Sequence, residues 1–373
     1  MLSVEAKMTL KTGYVYHELF GWHDTGTNAG FFPSDPAKGL QPSINYENAE
    51  TKKRIHELIV VSGLIEHLKR IPARHASNDE LLLVHPQSYL TKLKAVSEQR
   101  LGGDAGDGET PLAKGGYEIG TMAVGSVTNL AQAIVSGEVD NGYALVRPPG
   151  HHAIKSGGMG YCLFSNLGIA LSVLKRENPD IKIAVIDWDV HHGNGTQDIF
   201  YNDPSVLTIS LHQDRLYPRN SGMREERGGT AAPNSNINIP LPAGTGNGGY
   251  QYAFETVVAP ALKKFKPDLI AVASGFDSCV YDPLGRMMVT ANGYANLTKV
   301  LMESAAQFSD NRILIAHEGG YNAVYSPFCG LFVLQTLSGI TKLSDPFSHV
   351  EDYPGQVLAA HQKIEIDLAA KLI

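Results

Sequence analysis

The chain has 373 residues, of which 43% are hydrophobic and 18% are charged, and its formal net charge is −7. This composition is typical of a globular protein with a substantial buried core, and it excludes a low-complexity or fibrous chain. The acidic balance and the shortness of the basic runs, such as 52–54, argue against direct nucleic-acid binding. An acidic surface would instead attract cationic substrates.

Three scattered cysteines, Cys162, Cys279 and Cys329, are too few for a disulfide framework and fit a reducing compartment. The first residues lack the basic and apolar regions of a signal peptide, and no apolar run approaches the ~18 residues of a membrane span. We therefore expect a cytoplasmic protein without a membrane partner. Because no linker or repeat interrupts the pattern, we predict a single domain over residues 1–373, and the sequence leaves homo-oligomerisation open.

Short apolar runs rich in β-branched residues predict strands that are buried on both faces, as in a parallel sheet. Five such runs stop abruptly at polar or glycine-rich segments: 143–146, 183–186, 206–210, 269–273 and 313–316. Helical patterns cover 119–135 and 250–265 between some of these runs. The alternation of strands and helices predicts an α/β fold with a mainly parallel sheet.

Unusual polar segments follow the five runs at the points where the strands are expected to end. They are Arg147-Pro-Pro-Gly-His-His152, Asp187-Trp-Asp-Val-His-His-Gly-Asn194, Leu211-His212, Ser274-Gly-Phe-Asp277 and His317-Glu-Gly-Gly-Tyr321. In open parallel sheets, ligands bind beyond the carboxyl ends of the strands. Because nearly all of the unusual polar chemistry falls at such ends, the sequence predicts one converged site.

A metal centre is the first chemistry that these segments suggest. In an extended segment alternate residues point the same way, so Asp187, Asp189 and His191 would share a face, and Asp277 arrives from another strand. Two carboxylates and an imidazole suit Zn²⁺ and also Fe²⁺ or Mn²⁺. The alternative is that these are ordinary polar residues at strand ends, which the pairing with other polar segments disfavours. For His192 and His212, a structural role is the favoured interpretation.

The motifs together resemble those of a known family. They are Pro148-Pro-Gly-His-His152, Asp187-x-Asp-x-His-His-Gly-Asn-Gly195, Ser274-Gly-Phe-Asp277 and Glu318-Gly-Gly-Tyr321. In this order they resemble the zinc-dependent histone deacetylases, closest to class II and the bacterial histone deacetylase-like amidohydrolases, over residues 13–330. The resemblance implies the arginase–deacetylase fold, a single α/β domain with a mainly parallel eight-stranded sheet flanked by helices. It also implies hydrolysis of an acetyl-lysine-like amide by a metal-activated water.

The resemblance implies several metal ligands as well. One Zn²⁺ per chain would be held by Asp189, His191 and Asp277. Members of the family also bind potassium close to the zinc. An inner potassium ion would be surrounded by Asp187, Ser210 and the backbone of Asp189, His191 and Leu211, and an outer one would take part of its ligands from Phe200, Asp203 and Val206.

Catalytic roles follow from the same resemblance. His152 would be the general base and acid, and His151 would be its partner, held by Asp187. Tyr321 would donate a hydrogen bond to the developing oxyanion. At position 194 class I enzymes carry Asp, whereas this chain has Asn194, the class II residue. Because a neutral amide supports a nearby imidazolium less than a carboxylate does, we predict that Asn194→Asp raises the pKa of His152.

The substrate channel departs from the family pattern. Gly160-Tyr161 and Tyr217-Pro218 match positions where relatives place two Phe rings along a narrow acyl-lysine channel. Tyrosine rings still sandwich a methylene chain, but their hydroxyls make the walls more polar. The alternative for Tyr217 is simple packing, since the loop before it differs in length from the family.

Two further positions bear on substrate choice. Asp107 matches the carboxylate at the channel rim that holds the substrate backbone in relatives, with Asp104 as an alternative in the same glycine-rich loop. Relatives that favour acetylated polyamines have Glu where this chain has Leu284. An apolar side chain supplies no counter-charge for a distal ammonium, so acylated lysine or another monoamine amide is the favoured substrate.

Three other functions are compatible with parts of this sequence. An arginase-like enzyme needs further His and Asp ligands for a second metal, and the segment after Asp277 lacks them. Hydrolysis of acetylpolyamines or other small acyl-amines is closer and stays an alternative. A non-catalytic module that binds acyl-lysine would lose the base or the oxyanion donor, whereas this chain keeps both His152 and Tyr321.

Overall fold

The computed structural model describes residues 10–373. Twelve strands are present in this range. In chain order they are β1 (Thr12–Val15), β2 (Thr27–Asn28), β3 (Ser43–Ile44), β4 (Lys69–Arg70), β5 (Gly103–Asp104), β6 (Pro111–Leu112), β7 (Asn141–Ala144), β8 (Ile183–Asp187), β9 (Val206–Gln213), β10 (Asn236–Leu241), β11 (Leu269–Ser274) and β12 (Ile313–His317).

Eight of these strands form one sheet in the order β10-β9-β8-β11-β12-β7-β1-β4. Every neighbouring pair in this sheet is parallel, which confirms the predicted eight-stranded sheet and makes it wholly parallel. In the register, Asp187 of β8 lies between Ala273 of β11 and Ser210 of β9. The remaining strands form the two-stranded pairs β2–β3 and β5–β6.

Helices connect and cover the strands of the sheet. They are α1 (Glu50–Val61), α2 (Asn78–Leu81), α3 (Gln87–Glu98), α4 (Gly116–Val135), α5 (Asn166–Glu177), α6 (Asn194–Phe200), α7 (Asn247–Ala253), α8 (Ala259–Phe265), α9 (Ala291–Phe308), α10 (Ser326–Ser338) and α11 (Ala360–Ala370). A π-helical turn, Phe254–Val258, joins α7 to α8. No helix among residues 10–373 is both long enough and apolar enough to cross a bilayer.

The central strands are buried because helices pack on the sheet. All residues of β7, β8, β11 and β12 are buried, and α4, α9 and α10 contact these strands. Local chemistry explains several helix ends. Thr290 caps α9 by accepting a hydrogen bond from the backbone N–H of Gly293, and Gly339 ends α10 in the left-handed conformation.

The structure confirms the five predicted strands and corrects their limits. The main correction concerns Leu211-His212, which we expected after the third strand and which lies inside β9. The hydroxyl of Ser210 and the carbonyl of Gly222 satisfy the two ring nitrogens of His212, so an imidazole is tolerated within a buried strand. The assignment of residues 1–373 to one domain stays a prediction, since residues 1–9 lie outside the described range.

Candidate active site

The carboxyl ends of four adjacent strands, β8, β11, β12 and β7, form the candidate site. The segment that follows each of them is buried and polar, as the sequence predicted. The four segments belong to different parts of the chain, but the parallel sheet brings them to the same edge.

Asp189, His191 and Asp277 meet at the centre of this edge. One ligand atom from each residue lies within 4.8 Å of the others, and all three side chains are buried. The Nδ1 atom of His191 lies 3.1 Å from a carboxylate oxygen of Asp189 and 3.1 Å from one of Asp277. As expected, the side chains of Asp189 and His191 point towards the same centre. The Asp187 side chain instead points towards His151.

Backbone groups hold the two carboxylates in place. The N–H of Val190 donates to Asp277 Oδ1 at 2.8 Å, and the N–H of Gly319 donates to Asp189 Oδ2 at 3.0 Å. A side chain at position 319 would not fit, because its Cβ would lie 2.2 Å from Asp277 Oδ2. The glycine therefore lets the backbone after β12 pass directly over both carboxylates.

The charges of this cluster depend on each other. Burial alone would lower the pKa of His191, but hydrogen bonds to Asp189 and Asp277 outweigh it and raise the pKa to about 10. Burial and the charge of Asp189 together raise the pKa of Asp277 to about 6. Two carboxylates buried side by side require a positive partner.

A pair of adjacent histidines lies beside the cluster. Nδ1–H of His151 donates to Asp187 Oδ2 at 2.9 Å, and the ring centroids of His151 and His152 are 3.9 Å apart. Burial alone would lower the pKa of His151, but the charges of Asp189 and Asp187 raise it well above its ordinary value. His151 is therefore a charged, fixed neighbour of His152.

His152 has the opposite protonation state. Burial lowers its pKa well below the ordinary value, and the positive charges of His151 and His191 lower it further. Its Nδ1 atom lies 2.8 Å from the amide oxygen of Asn194, which can only accept a hydrogen bond. The neutral ring therefore carries its proton on Nδ1, and the lone pair of Nε2 stays free.

The tyrosine of the Glu-Gly-Gly-Tyr segment is held from its backbone. The N–H of Tyr321 donates to Asp282 Oδ2 at 2.7 Å, and the ring centroid of Tyr321 lies 6.2 Å from that of Tyr161. Burial and the nearby charges of Asp277 and Asp189 raise the pKa of the Tyr321 phenol well above its usual value. The phenol thus keeps its proton at neutral pH and can act as a hydrogen-bond donor.

Both predicted channel tyrosines border the site. The ring of Tyr217 meets that of His152 edge to face, with centroids 4.9 Å apart, whereas Tyr161 lies beside Tyr321. Gly160 passes close to the histidine, because a Cβ at this position would lie 2.5 Å from His152 Cδ2. The placement of Tyr217 beside His152 favours a channel position over simple packing.

The remaining predicted substrate residues, Asp107 and Leu284, differ in exposure. Asp107 is exposed, and its Oδ2 accepts hydrogen bonds from the N–H of Gly160 at 2.9 Å and from the Tyr217 hydroxyl at 3.5 Å. Asp104 instead accepts three backbone N–H groups of its own loop, which favours Asp107 as the rim residue. The Leu284 side chain is buried, and its N–H donates to Asp282 Oδ1.

The other positions predicted for potassium lie in and around α6 and β9. Ser210 is the register partner of Asp187, and Leu211 follows it in β9. Phe200 and Val206 are buried, whereas the carboxylate of Asp203 is paired with the ammonium of Lys175. His192 is bonded to Ser221 and Gln197, as a structural histidine would be.

Sequence reasoning missed one buried cluster beneath Tyr321. Glu47 is paired with Arg147 at 2.8 Å and with Lys52 at 3.0 Å, and the Lys52 ammonium lies 5.4 Å from the centre of the Tyr321 ring. The three charged residues are buried together. The only local signal was the Arg before Pro148-Pro-Gly-His-His152, since Glu47 and Arg147 are far apart in the chain.

Glu318 and Asp282 were also missed, although Glu318 lies in a segment that the sequence singled out and Asp282 lies two residues before Leu284. Asp282 accepts the backbone N–H groups of Tyr321 and Leu284. Glu318 Oε2 accepts the N–H groups of Gly150 and His151, and burial raises the pKa of Glu318 to about 7. Both carboxylates bind backbone rather than other motif side chains, a contact that no sequence spacing indicates.

A wholly parallel α/β sheet with carboxylates, paired histidines and a tyrosine at its carboxyl edge defines a class of hydrolytic enzymes. The family sequence model described as the histone deacetylase domain matches residues 45–333 of this chain. The histone deacetylase-like amidohydrolase of Pseudomonas aeruginosa is 40% identical over 343 residues, which cover 91% of this chain and 89% of that protein. The chain therefore belongs to the histone deacetylase family, and it is a hydrolase of the deacetylase type.

Two other comparisons agree with this assignment. Histone deacetylase clr3 of Schizosaccharomyces pombe is 36% identical over 348 residues, which cover 88% of this chain and 48% of that longer protein. The crystal structure of the HDA15 HD domain has a TM-score of 0.84 at 29% sequence identity, and the match covers 97% of this chain and 95% of that chain. The predicted arginase–deacetylase fold is thus confirmed.

Proposed function

We propose that this chain is a zinc-dependent amidohydrolase that removes an acyl group from a lysine-like amine. The observation that carries the proposal is the buried cluster of Asp189, His191 and Asp277, with ligand atoms within 4.8 Å of one another. Its oxygen and nitrogen donors fit Zn²⁺, and a bound cation would neutralise the two carboxylates. Three protein ligands with a further position open are typical of a catalytic zinc site.

Asp189, His191 and Asp277 would hold the zinc ion, which would supply Lewis-acid polarisation of the acyl carbonyl and a lowered pKa for water. His152 handles the proton. Its free Nε2 accepts the proton of the attacking water and then passes it to the nitrogen of the leaving amine. Because Nδ1 is engaged by Asn194, the ring is already in the tautomer that this role requires.

Tyr321 and His151 support the same reaction. The protonated phenol of Tyr321 donates a hydrogen bond to the acyl oxygen as negative charge develops on it. Burial keeps the His152 ring neutral before the reaction, and the positive charge of His151, paired with Asp187, acts in the same direction. A neutral base can accept a proton, so the pairing prepares His152 for its first step.

The channel supports a monoamine amide as substrate. The Tyr161 and Tyr217 rings line the approach to His152 and Tyr321 and can sandwich the methylene chain of a lysine. Leu284 carries no charge and its side chain is buried, so it offers no partner for the second ammonium of a polyamine. An acylated lysine is therefore favoured over an acetylpolyamine, which stays the alternative substrate.

We also propose an inner potassium ion at Asp187, Ser210 and the backbone of Asp189, His191 and Leu211. Its support is the register of β8 and β9, which pairs Asp187 with Ser210. The outer ion at Phe200, Asp203 and Val206 has less support, because the Lys175 ammonium already neutralises the carboxylate of Asp203.

A turnover panel tests the proposed function. Acetyl-lysine peptides, trifluoroacetyl-lysine peptides and acetylpolyamines are each assayed before chelation, after chelation and after zinc is restored. We expect peptide turnover to disappear on chelation and to return with zinc. His152→Ala should lower kcat by ~10²–10⁴-fold. The exposed His361 provides a matched control, and His361→Ala should behave as wild type.

The panel also separates the alternatives. Turnover that survives chelation, or that survives His152→Ala, would contradict the proposal. Faster turnover of acetylpolyamines than of peptides would favour the alternative substrate and would leave the metal centre unaffected.

A further inference from the structure

We propose that Glu318 is a positioning residue, which sets the place of His152 relative to Tyr321. The inference rests on the roles proposed for those two residues. Glu318 belongs to the Glu-Gly-Gly-Tyr segment, but the chemistry described so far gives its side chain no task. Its side chain is completely buried directly after β12, and its own N–H donates to the carbonyl of Ser274 at 3.0 Å.

The Glu318 carboxylate holds the backbone of the histidine turn. Glu318 Oε2 accepts the N–H of Gly150 at 2.6 Å and the N–H of His151 at 3.0 Å. Both N–H groups belong to the turn that carries the histidine pair, and both are buried. A buried backbone N–H requires an acceptor, and the side chain of a distant strand end provides it here. The backbone directly before His152 is therefore tied to the end of β12.

The segment that contains Glu318 is itself held by other strand ends. The N–H of Gly319 donates to Asp189, and the N–H of Tyr321 donates to Asp282 at 2.7 Å. Residues 318–321 thus contact three other strand-end segments through short hydrogen bonds. Glu318 supplies the contact that reaches the histidine turn, so it links the proposed base to the proposed oxyanion donor.

Such a link matters because both groups act on the same acyl group. Reacting groups have to be held within about 0.5 Å of their productive positions, and a misplacement of about 1 Å can cost ~10²-fold in rate. Loss of the link should therefore reduce kcat, whereas substrate affinity, which depends on the channel walls, should change little.

The test compares Glu318→Ala, Glu318→Asp and Glu318→Gln. Gln keeps an oxygen that can accept both N–H groups, whereas Asp keeps the charge but is one methylene too short to reach them. We expect Glu318→Gln to stay within about 3-fold of the wild-type kcat. Glu318→Ala and Glu318→Asp should lose ~10–100-fold in kcat on an acetyl-lysine peptide, with KM within about 3-fold and zinc content unchanged.

A buried carboxylate away from the site serves as the control. Glu80 caps α2 through Ser77 and pairs with Arg74, so Glu80→Ala should lower the melting temperature without lowering kcat. If Glu318→Ala fails to fold, Glu318→Asp carries the test.

Three results would overturn the inference. The first is a wild-type kcat in Glu318→Asp. The second is a loss of kcat in Glu318→Gln as large as that in Glu318→Ala. The third is a loss of kcat that follows loss of zinc. If the wild-type enzyme itself has no zinc-dependent turnover, the proposed function fails first. Wild-type turnover that depends on His152 but not on Glu318 would reject only the role of Glu318.

Discussion

The floor and the rim of the site are built differently. The floor comprises Asp187, Asp189, His191, Asp277 and the histidine pair, and each of these side chains is buried. The rim comprises Asp107, Gly160 and Tyr217, which are partly or fully exposed. On the floor, most carboxylate oxygens accept a backbone N–H or an imidazole, whereas the Tyr217 hydroxyl has one contact, at 3.5 Å.

The floor and the rim should therefore respond differently to substitution. A buried group with fixed partners has a strongly shifted pKa and tolerates few substitutions, since an unpaired partner would stay buried. An exposed group with one weak contact can change with a small effect on the chemistry. We therefore expect reaction chemistry to depend on the floor and substrate choice to depend on the rim.

The largest effect should be a loss of stability when the buried charged cluster of Glu47, Lys52 and Arg147 is broken. Burial alone would raise the pKa of Glu47, but the charges of Arg147 and Lys52 outweigh it and lower the pKa to about 2. Glu47→Ala leaves two buried cations without their carboxylate and should lower the free energy of unfolding by ~3–5 kcal/mol. Urea denaturation at pH 7 measures this loss.

The pH dependence of that stability has a defined sign. Because the folded pKa of Glu47 is lowered, its contribution is present above the unfolded pKa and is lost as the pH falls towards 2. The difference in unfolding free energy between wild type and Glu47→Gln should therefore shrink below pH ~4.5. A difference that stays constant down to the acid limit of the folded state would contradict this account.

The next largest effect should come from Tyr321→Phe, which removes only the hydroxyl. Loss of one oxyanion donor costs ~10²–10³-fold in kcat. Steady-state kinetics on an acetyl-lysine peptide measure the change, and hydroxamate binding shows whether the site is intact. Tyr252→Phe removes a hydroxyl that donates to Asp367 of α11, away from the site, and it should leave kcat unchanged. A decrease of less than about 3-fold in Tyr321→Phe would reject the donor role.

A smaller effect is expected from Asn194→Asp. The carboxylate would stabilise the imidazolium of His152 and so raise its pKa, which burial and His151 now lower. Because the base must be neutral, the acidic limb of the kcat/KM profile should move to higher pH and activity at low pH should fall. An unchanged profile would count against His152 as the titrating base.

The smallest change in kcat should follow from a substitution at the rim. Tyr217→Phe keeps the ring beside His152 and removes one weak hydrogen bond to Asp107. We expect kcat to change by less than about 3-fold, with any change confined to KM or to the ranking of acyl groups. A loss of kcat as large as that of Tyr321→Phe would show that the rim takes part in the chemistry and would break the distinction between the two regions.

The sequence predicted the strands that carry the site better than those at the edges. Residues 183–186 and 269–273 read as buried strands because they are apolar throughout. By contrast, β4 has only two residues, both exposed, and β10 contains Asn236, Asn238 and Pro240. Proline and asparagine are uncommon in central strands, but an edge strand tolerates them because one side needs no hydrogen-bonded partner.

The same limit applies to the site. Asp189, His191 and Asp277 could be selected because each follows a recognisable strand, and a parallel sheet brings such ends together. Glu47 and Glu318 could not be given roles, because they bind a distant guanidinium or distant backbone N–H groups. Such contacts depend on how loops fold over the sheet, which neither spacing nor hydrophobic pattern records.

The zinc content of Asp277→Ala tests the central claim most directly. Purified wild-type protein, analysed by mass spectrometry for metals, should contain about one zinc per chain, as a single catalytic site requires. Asp277→Ala should keep its circular dichroism spectrum and lose most of that zinc, because one of three ligands is gone. A folded Asp277→Ala protein that still holds a full equivalent of zinc would contradict the claim that Asp189, His191 and Asp277 bind one ion.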